Sequence, residues 1–174
     1  MKEALNKLSG RKPSYINTKT EMKFQIAKVC INGFERQPIK DIKEALFNLR
    51  FQLTKIQSID FIGKKTIEFT INQSYIYQFI NKIKDIWFLT IIKDYHPLKA
   101  IDKEATNEIK NKIKEGFKNR LQKSYNLSNK TDYKKFLLEY ANELDIEITE
   151  NIENSNNNTE NINKYIDLEE PYNE

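Results

Sequence analysis

The apolar positions between Phe24 and Pro97 alternate between a period of about two and a period of three to four residues. Phe24, Ile26, Val29, Ile31 and Phe34 form a β-rich run that stops at Gly33 and the polar stretch Glu35 to Pro38, which predicts a first strand. Pro38 sits where a first helical turn tolerates it. Ile39, Ile42, Leu46 and Leu49, with Ala45 alongside, then recur at helical spacing, so residues 38–50 are expected to be an amphipathic helix. Beyond a polar joint at Gln52 to Lys55, Ile56, Ile59, Phe61 and Ile62 predict a second strand, ended by the hairpin signal Gly63-Lys64-Lys65. In the third strand Ile67, Phe69 and Ile71 point one way, and Thr66, Glu68 and Thr70 point the other. Asn72 can cap a second helix over 74–84 with Tyr75, Ile76, Phe79, Ile80 and Ile83 as its stripe, and 87–93 predicts a fourth strand closed by Asp94 to Pro97.

The order strand, helix, strand, strand, helix, strand predicts an α+β fold of the ferredoxin-like, split βαβ kind: a four-stranded antiparallel sheet backed by two helices. Right-handed crossovers put both helices on one face, matching the one-sided alternation of the third strand. The other face is expected to be polar and open.

Past Pro97 the pattern is helical. Ala105, Ile109, Ile113, Phe117 and Leu121 recur every four residues, which on an ideal helix drifts by about 40° per step. One straight seam cannot use all five, so either the helix bends or breaks near Gly116 or its halves pack against different surfaces. A further helix starts at Thr131 or Asp132 and carries Tyr133, Phe136, Leu137, Tyr140 and Leu144. The expected organisation is a mobile leader over 1–22, the βαββαβ domain over 23–98, a helical extension over 99–145, and a disordered Asn-rich acidic tail over 146–174.

Charge sharpens this division. From Glu143 to Glu174 ten carboxylates face the single base Lys164, a net of −9, so residues 1–142 carry +13 of the total of +4. A basic body with an acidic tail points to a polyanion-binding surface with which the tail competes; a general enrichment in solvated lysines reads the same numbers without a partner. The single cysteine, Cys30, excludes an internal disulfide, and nothing completes a zinc site, so no metal and no cofactor are expected. Met1 to Arg11 lacks the apolar stretch of a signal peptide, and the chain holds no membrane-length apolar run. A soluble intracellular protein, cytoplasmic or nuclear, is the expectation.

The predicted fold resembles the RNA-recognition motif, which implies base-stacking aromatics on the open face. In that alignment the first-strand motif is Val29-Cys30-Ile31-Asn32-Gly33-Phe34, with Cys30 at the aromatic position, and the third strand offers Thr66, Glu68 and Thr70. The stacking platform is therefore missing, and Glu68 would repel phosphate. From Val29 to Pro97 the chain also resembles a domain of accessory proteins encoded by fungal LINE-type retrotransposons, through Ile31-Asn32-Gly33-Phe34, Gln37-Pro38-Ile39, Ile59-Asp60-Phe61-Ile62-Gly63, Thr66-Ile67-Glu68-Phe69 and Tyr95-His96-Pro97. That resemblance implies a non-enzymatic protein that binds element RNA mainly through charge, although the Cys and His residues of a zinc knuckle do not follow.

Nucleic acid, RNA in preference to DNA, would then be held by lysines off the sheet face. The candidates are Lys64 and Lys65 in the hairpin, Lys82 and Lys84 at the end of the second helix, and Lys110, Lys114, Lys118, Arg120 and Lys123 on the long helix. A solvated helix face with pairs such as Glu108 to Lys112 explains the last group equally well. The alternative function is a protein-interaction or self-association module, with the open sheet face covered by the carboxy-terminal helices or by a second copy. His96 before Pro97 and Cys30 read as structural, because no nucleophile elbow, phosphate-cradling loop or carboxylate pair accompanies them.

Overall fold

A computed structural model describes residues 18–93, 95–99 and 106–149. The elements are α1 (Lys19–Phe24), β1 (Ile26–Asn32), α2 (Ile39–Asn48), β2 (Ile56–Phe61), β3 (Thr66–Asn72), α3 (Ile76–Lys84), β4 (Thr90–Ile92), α4 (Asn107–Leu127) and α5 (Thr131–Glu143). The strands form one antiparallel sheet in the order β2-β3-β1-β4. No helix among the described residues is long and apolar enough to cross a membrane.

Alternation sets the first face of the sheet. Ala27, Val29 and Ile31 of β1 and Ile67, Phe69 and Ile71 of β3 join Ile42 and Leu46 of α2 and Ile76, Phe79 and Ile83 of α3 in one core. Phe69 lies at its centre, 5.1 Å from the Phe79 ring and 5.8 Å from Phe34. Pro38 stands at the N-cap of α2, as its missing N–H favours. Asn72 instead precedes a short 3-10 turn, Gln73–Tyr75, and its side chain accepts from Gln57 rather than capping a helix.

The second face is not open. Glu68 is 3% exposed and Thr70 is fully buried, because α4 and α5 lie across the polar side of the strands. Tyr133, Phe136 and Tyr140 of α5 stack with ring centroids 5.9 and 5.3 Å apart, and Phe117 and Leu121 of α4 complete this second core. Helix α4 is unbroken through Gly116. Its middle turns pack through Phe117 and Leu121, while Ile109 near its start and Leu127 at its end are exposed, which is how one unbroken helix resolves the drifting four-residue spacing.

Three boundaries differ from those the sequence predicts. Lys19–Phe24 is helical, nucleated by a capping box in which Thr18 Oγ1 accepts from the Glu21 N–H while Glu21 accepts from the Thr18 N–H. The fourth strand is only three residues long, with Trp87 and Phe88 in the turn before it. The chain after α5 folds back: Ile146 is buried, and the Gln122 side chain both accepts from and donates to the Thr149 backbone. The earlier leader, residues 1–17, and the tail from 150 onward lie outside the described residues.

Candidate nucleic-acid interface

Two groups of polar residues could carry function, one covered by α4 and α5 and one at the loop end of the sheet. In the covered group Lys28 Nζ donates to Glu68 Oε1 at 2.7 Å, both side chains being buried, and the ammonium lies 5.2 Å from the Tyr140 ring centroid. Burial works against the ammonium, but Glu68, by charge and hydrogen bond, together with Tyr140 and Tyr133 outweighs it and holds its pKa above the ordinary lysine value. Ser58 donates to Thr70 across the strands at 2.9 Å. Cys30 faces the same layer, and burial pushes its thiol well up, so it stays protonated and unreactive. Cross-strand pairing of this kind is what lets a polar sheet face be covered at all.

The loop end is built by three connections. Strand register places Asn32 beside both Thr66 and Thr90, so the Gly33–Gln37 loop, the Gly63–Lys65 hairpin and the Asp85–Leu89 turn meet at one end. Gly33 joins them: its N–H and that of Phe34 donate to the Lys65 carbonyl at 2.9 and 3.0 Å, while Phe88 passes so close that a Cβ on Gly33 would lie 2.3 Å from its carbonyl oxygen. With φ at +116°, only glycine fits here.

That packing displays two aromatic rings to solvent. Trp87 is 91% exposed and Phe88 is 53% exposed, set edge to face with centroids 5.6 Å apart. Exposed lysines Lys64 and Lys65 lie across the same end, and Lys84 ends the helix that leads into the aromatic turn. Lys65 pairs with Glu35 at 2.6 Å, an exposed contact worth about 0–1 kcal/mol and readily exchanged for a phosphate. Arg36 adds a guanidinium against the Phe61 ring.

The remaining candidates lie elsewhere. Lys82 is occupied: its ammonium donates to the carbonyls of Leu49 and Arg50 at 3.1 and 2.7 Å and rests on the Phe51 ring, closing the C-terminal end of α2. Arg120 is turned inward, its guanidinium 5.6 Å from the Phe117 ring and its charge felt by Cys30, Asp60 and Tyr95 of the covered layer. Lys110, Lys114, Lys118 and Lys123 are exposed along α4, and the Glu108–Lys112 pair forms at 2.9 Å. Lys114 and Lys118 share a depression with Glu115, Asp145 and Glu147, so their field is partly neutralised. His96 accepts from the Leu98 N–H through Nδ1.

Sequence reasoning missed Trp87 and Phe88 as surface residues by placing them inside a strand. The sequence carried no signal against this, because Trp87, Leu89 and Ile91 recur at a strand's period of two. Compared with family models, with curated proteins and with solved structures, the chain finds no match.

Proposed function

We propose that this protein is a non-catalytic binder of single-stranded nucleic acid, RNA in preference to DNA, acting through the loop end of its sheet. One observation carries the reading: an exposed Trp87–Phe88 pair sits on the same end as Lys64, Lys65 and Arg36. Exposed rings stack bases of any sequence, and flanking cations track the backbone. We read the fold as a ferredoxin-like, RNA-recognition-motif-like split βαβ unit, a reading supported by the strand order β2-β3-β1-β4, with its usual binding face given over to helix packing. Setting the protein in a retroelement ribonucleoprotein rests on the sequence resemblance alone.

Covering of the sheet by the chain's own α4 and α5 removes the need for a second copy on that face. The self-association alternative would have to use another surface.

Trp87 is the only tryptophan, so its emission reports the contact directly. Titration with single-stranded RNA at low salt should quench it saturably, and raising salt should weaken binding steeply. Trp87→Ala should lower affinity by about 1–3 kcal/mol when followed by anisotropy of labelled RNA. Unquenched emission in the presence of bound RNA would move the interface away from this end, and undetectable binding at low salt would end the proposal.

A further inference from the structure

Strand β4 pairs with β1 only from Cys30 to Asn32, whereas β3 pairs with β1 along its whole length from Ile26. Next to Lys28 and Val29, the β4 side of β1 has no strand partner among the described residues. A cavity of about 450 Å³ occupies that gap, between the start of α1, the ends of α3 and α5, and the Tyr95–Lys99 segment. Its size matches sites for small organic ligands.

The lining divides into three zones. Val29, Ile80, Ile91, Ile92 and Leu144, with the rings of Tyr95 and Tyr140, supply apolar walls suited to a flat heterocycle. Deeper in, Glu21 Oε2 is taken by the Thr18 N–H, and Oε1 has no hydrogen-bond partner among the described residues, leaving a carboxyl oxygen that accepts from an exocyclic amine when ionised and donates to a ring nitrogen when protonated. At the rim stand Lys84, Lys93 and Lys99, all exposed. His96 joins them; since its Nδ1 accepts from the Leu98 N–H, its proton is on Nε2, which points a donor outward. Lys28 also lines the cavity but is balanced by Glu68, so the net positive field belongs to the rim.

We infer that this cavity binds a single purine nucleoside monophosphate unit, its base against Val29 at the edge of β1 and its phosphate on Lys84, Lys93 and Lys99. Apolar walls suit a flat base, the Glu21 carboxyl at the cavity suits its exocyclic and ring nitrogens, and ammonium groups at the mouth match a phosphate. The site shares only Lys84 with the strand-binding end and stands whether or not that end binds RNA.

The test is titration of the full chain with AMP, followed by amide NMR. Saturable shifts are expected at Val29, Cys30, Ile91, Ile92 and Tyr95, and the double variant Lys93→Ala/Lys99→Ala should bind AMP about tenfold more weakly with its remaining spectrum unchanged. Trp87→Ala should leave AMP binding unaltered, which separates this site from the strand platform. Inorganic phosphate should move only rim resonances. An oligonucleotide with a 5′-phosphate that reproduces the AMP shifts identifies the ligand as a strand terminus; shifts with AMP alone identify a free nucleotide. The inference is overturned if millimolar AMP leaves the cavity residues unmoved, or if phosphate and AMP give the same shifts.

Discussion

Lys28 and Glu68 form an ion pair of 2.7 Å across adjacent strands, covered by the aromatic layer of α5. Cys30, not Lys28, is opposite Glu68 in the register, so the pair is diagonal, and Glu68 Oε2 has no hydrogen-bond partner among the described residues. Removing one partner leaves the other charge buried and alone. Glu68→Leu or Lys28→Met should each destabilise the fold by about 3–5 kcal/mol in urea denaturation, and the double variant should recover most of the loss. Additive losses in that double-mutant cycle would show that the two charges do not stabilise each other.

Glu21 predicts a pH dependence of opposite sense to that of most carboxylates. Burial raises its pKa to about 7, against hydrogen bonding from Thr18 and the charge of Lys28, which act to lower it. The folded state thus holds a proton that the unfolded chain has released, and this contribution is complete below pH 4.5 and lost as pH rises through 7. Glu143, whose carboxylate accepts from the Lys19 and Thr20 N–H groups, has a lowered pKa despite some desolvation, so its contribution is lost in acid. Stability should peak between these limits. Glu21→Gln, which keeps the cap acceptor, should flatten the alkaline limb and exceed the parent at pH 8 by on the order of 2–3 kcal/mol; thermal melts across pH 4 to 9 decide it.

Two lysines that look equivalent in sequence should behave differently. Lys82→Met removes the ammonium from the Leu49 and Arg50 carbonyls and should cost roughly 1 kcal/mol of stability while leaving the salt dependence of RNA binding unchanged. Replacing both Lys64 and Lys65 by alanine should do the reverse, reducing the slope of log affinity against log salt by about 1.4 with little change in melting. Equal slopes in the two variants would remove the hairpin from the interface.

Gly33→Ala tests the architecture of the loop end. The added Cβ would meet the Phe88 carbonyl at 2.3 Å in a backbone conformation that alanine resists. We expect a loss of about 1–3 kcal/mol in stability, with Trp87 emission altered before any ligand is added. An unchanged spectrum and melting point would mean that the turn moves aside freely.

The order of elements in the βαββαβ unit was legible because each strand and helix has a face buried on the first core, and burial writes its period into the sequence. Ile67, Phe69 and Ile71 announced their side of β3 without ambiguity. The fate of the other side was not legible: Thr66, Glu68 and Thr70 read as solvent-facing, and only the position of α5 shows that Glu68 meets Lys28 under Tyr140. Local pattern records that a residue is polar, not whether its partner is water or another side chain. The same limit hid α1, whose six residues are too few for periodicity and are held by the cap at Thr18 and by Glu143 at the far end of the fold. Among the site candidates, Lys64, Lys65 and Lys84 fall near the exposed aromatics, while Lys82 and Arg120 are turned to structural work by contacts distant in sequence.

The closing of the sheet by α4 and α5 fixes what counts as one piece of this protein. A chain cut after Pro97 would keep every strand yet bare an ion pair, a buried thiol and a row of hydroxyls at once, and would lose the acceptor that holds α1. The stretch from Thr18 to Thr149 is therefore expected to melt and to be transplanted as a single cooperative block, and a truncation that respects only the strand pattern should yield a sticky, unstable fragment.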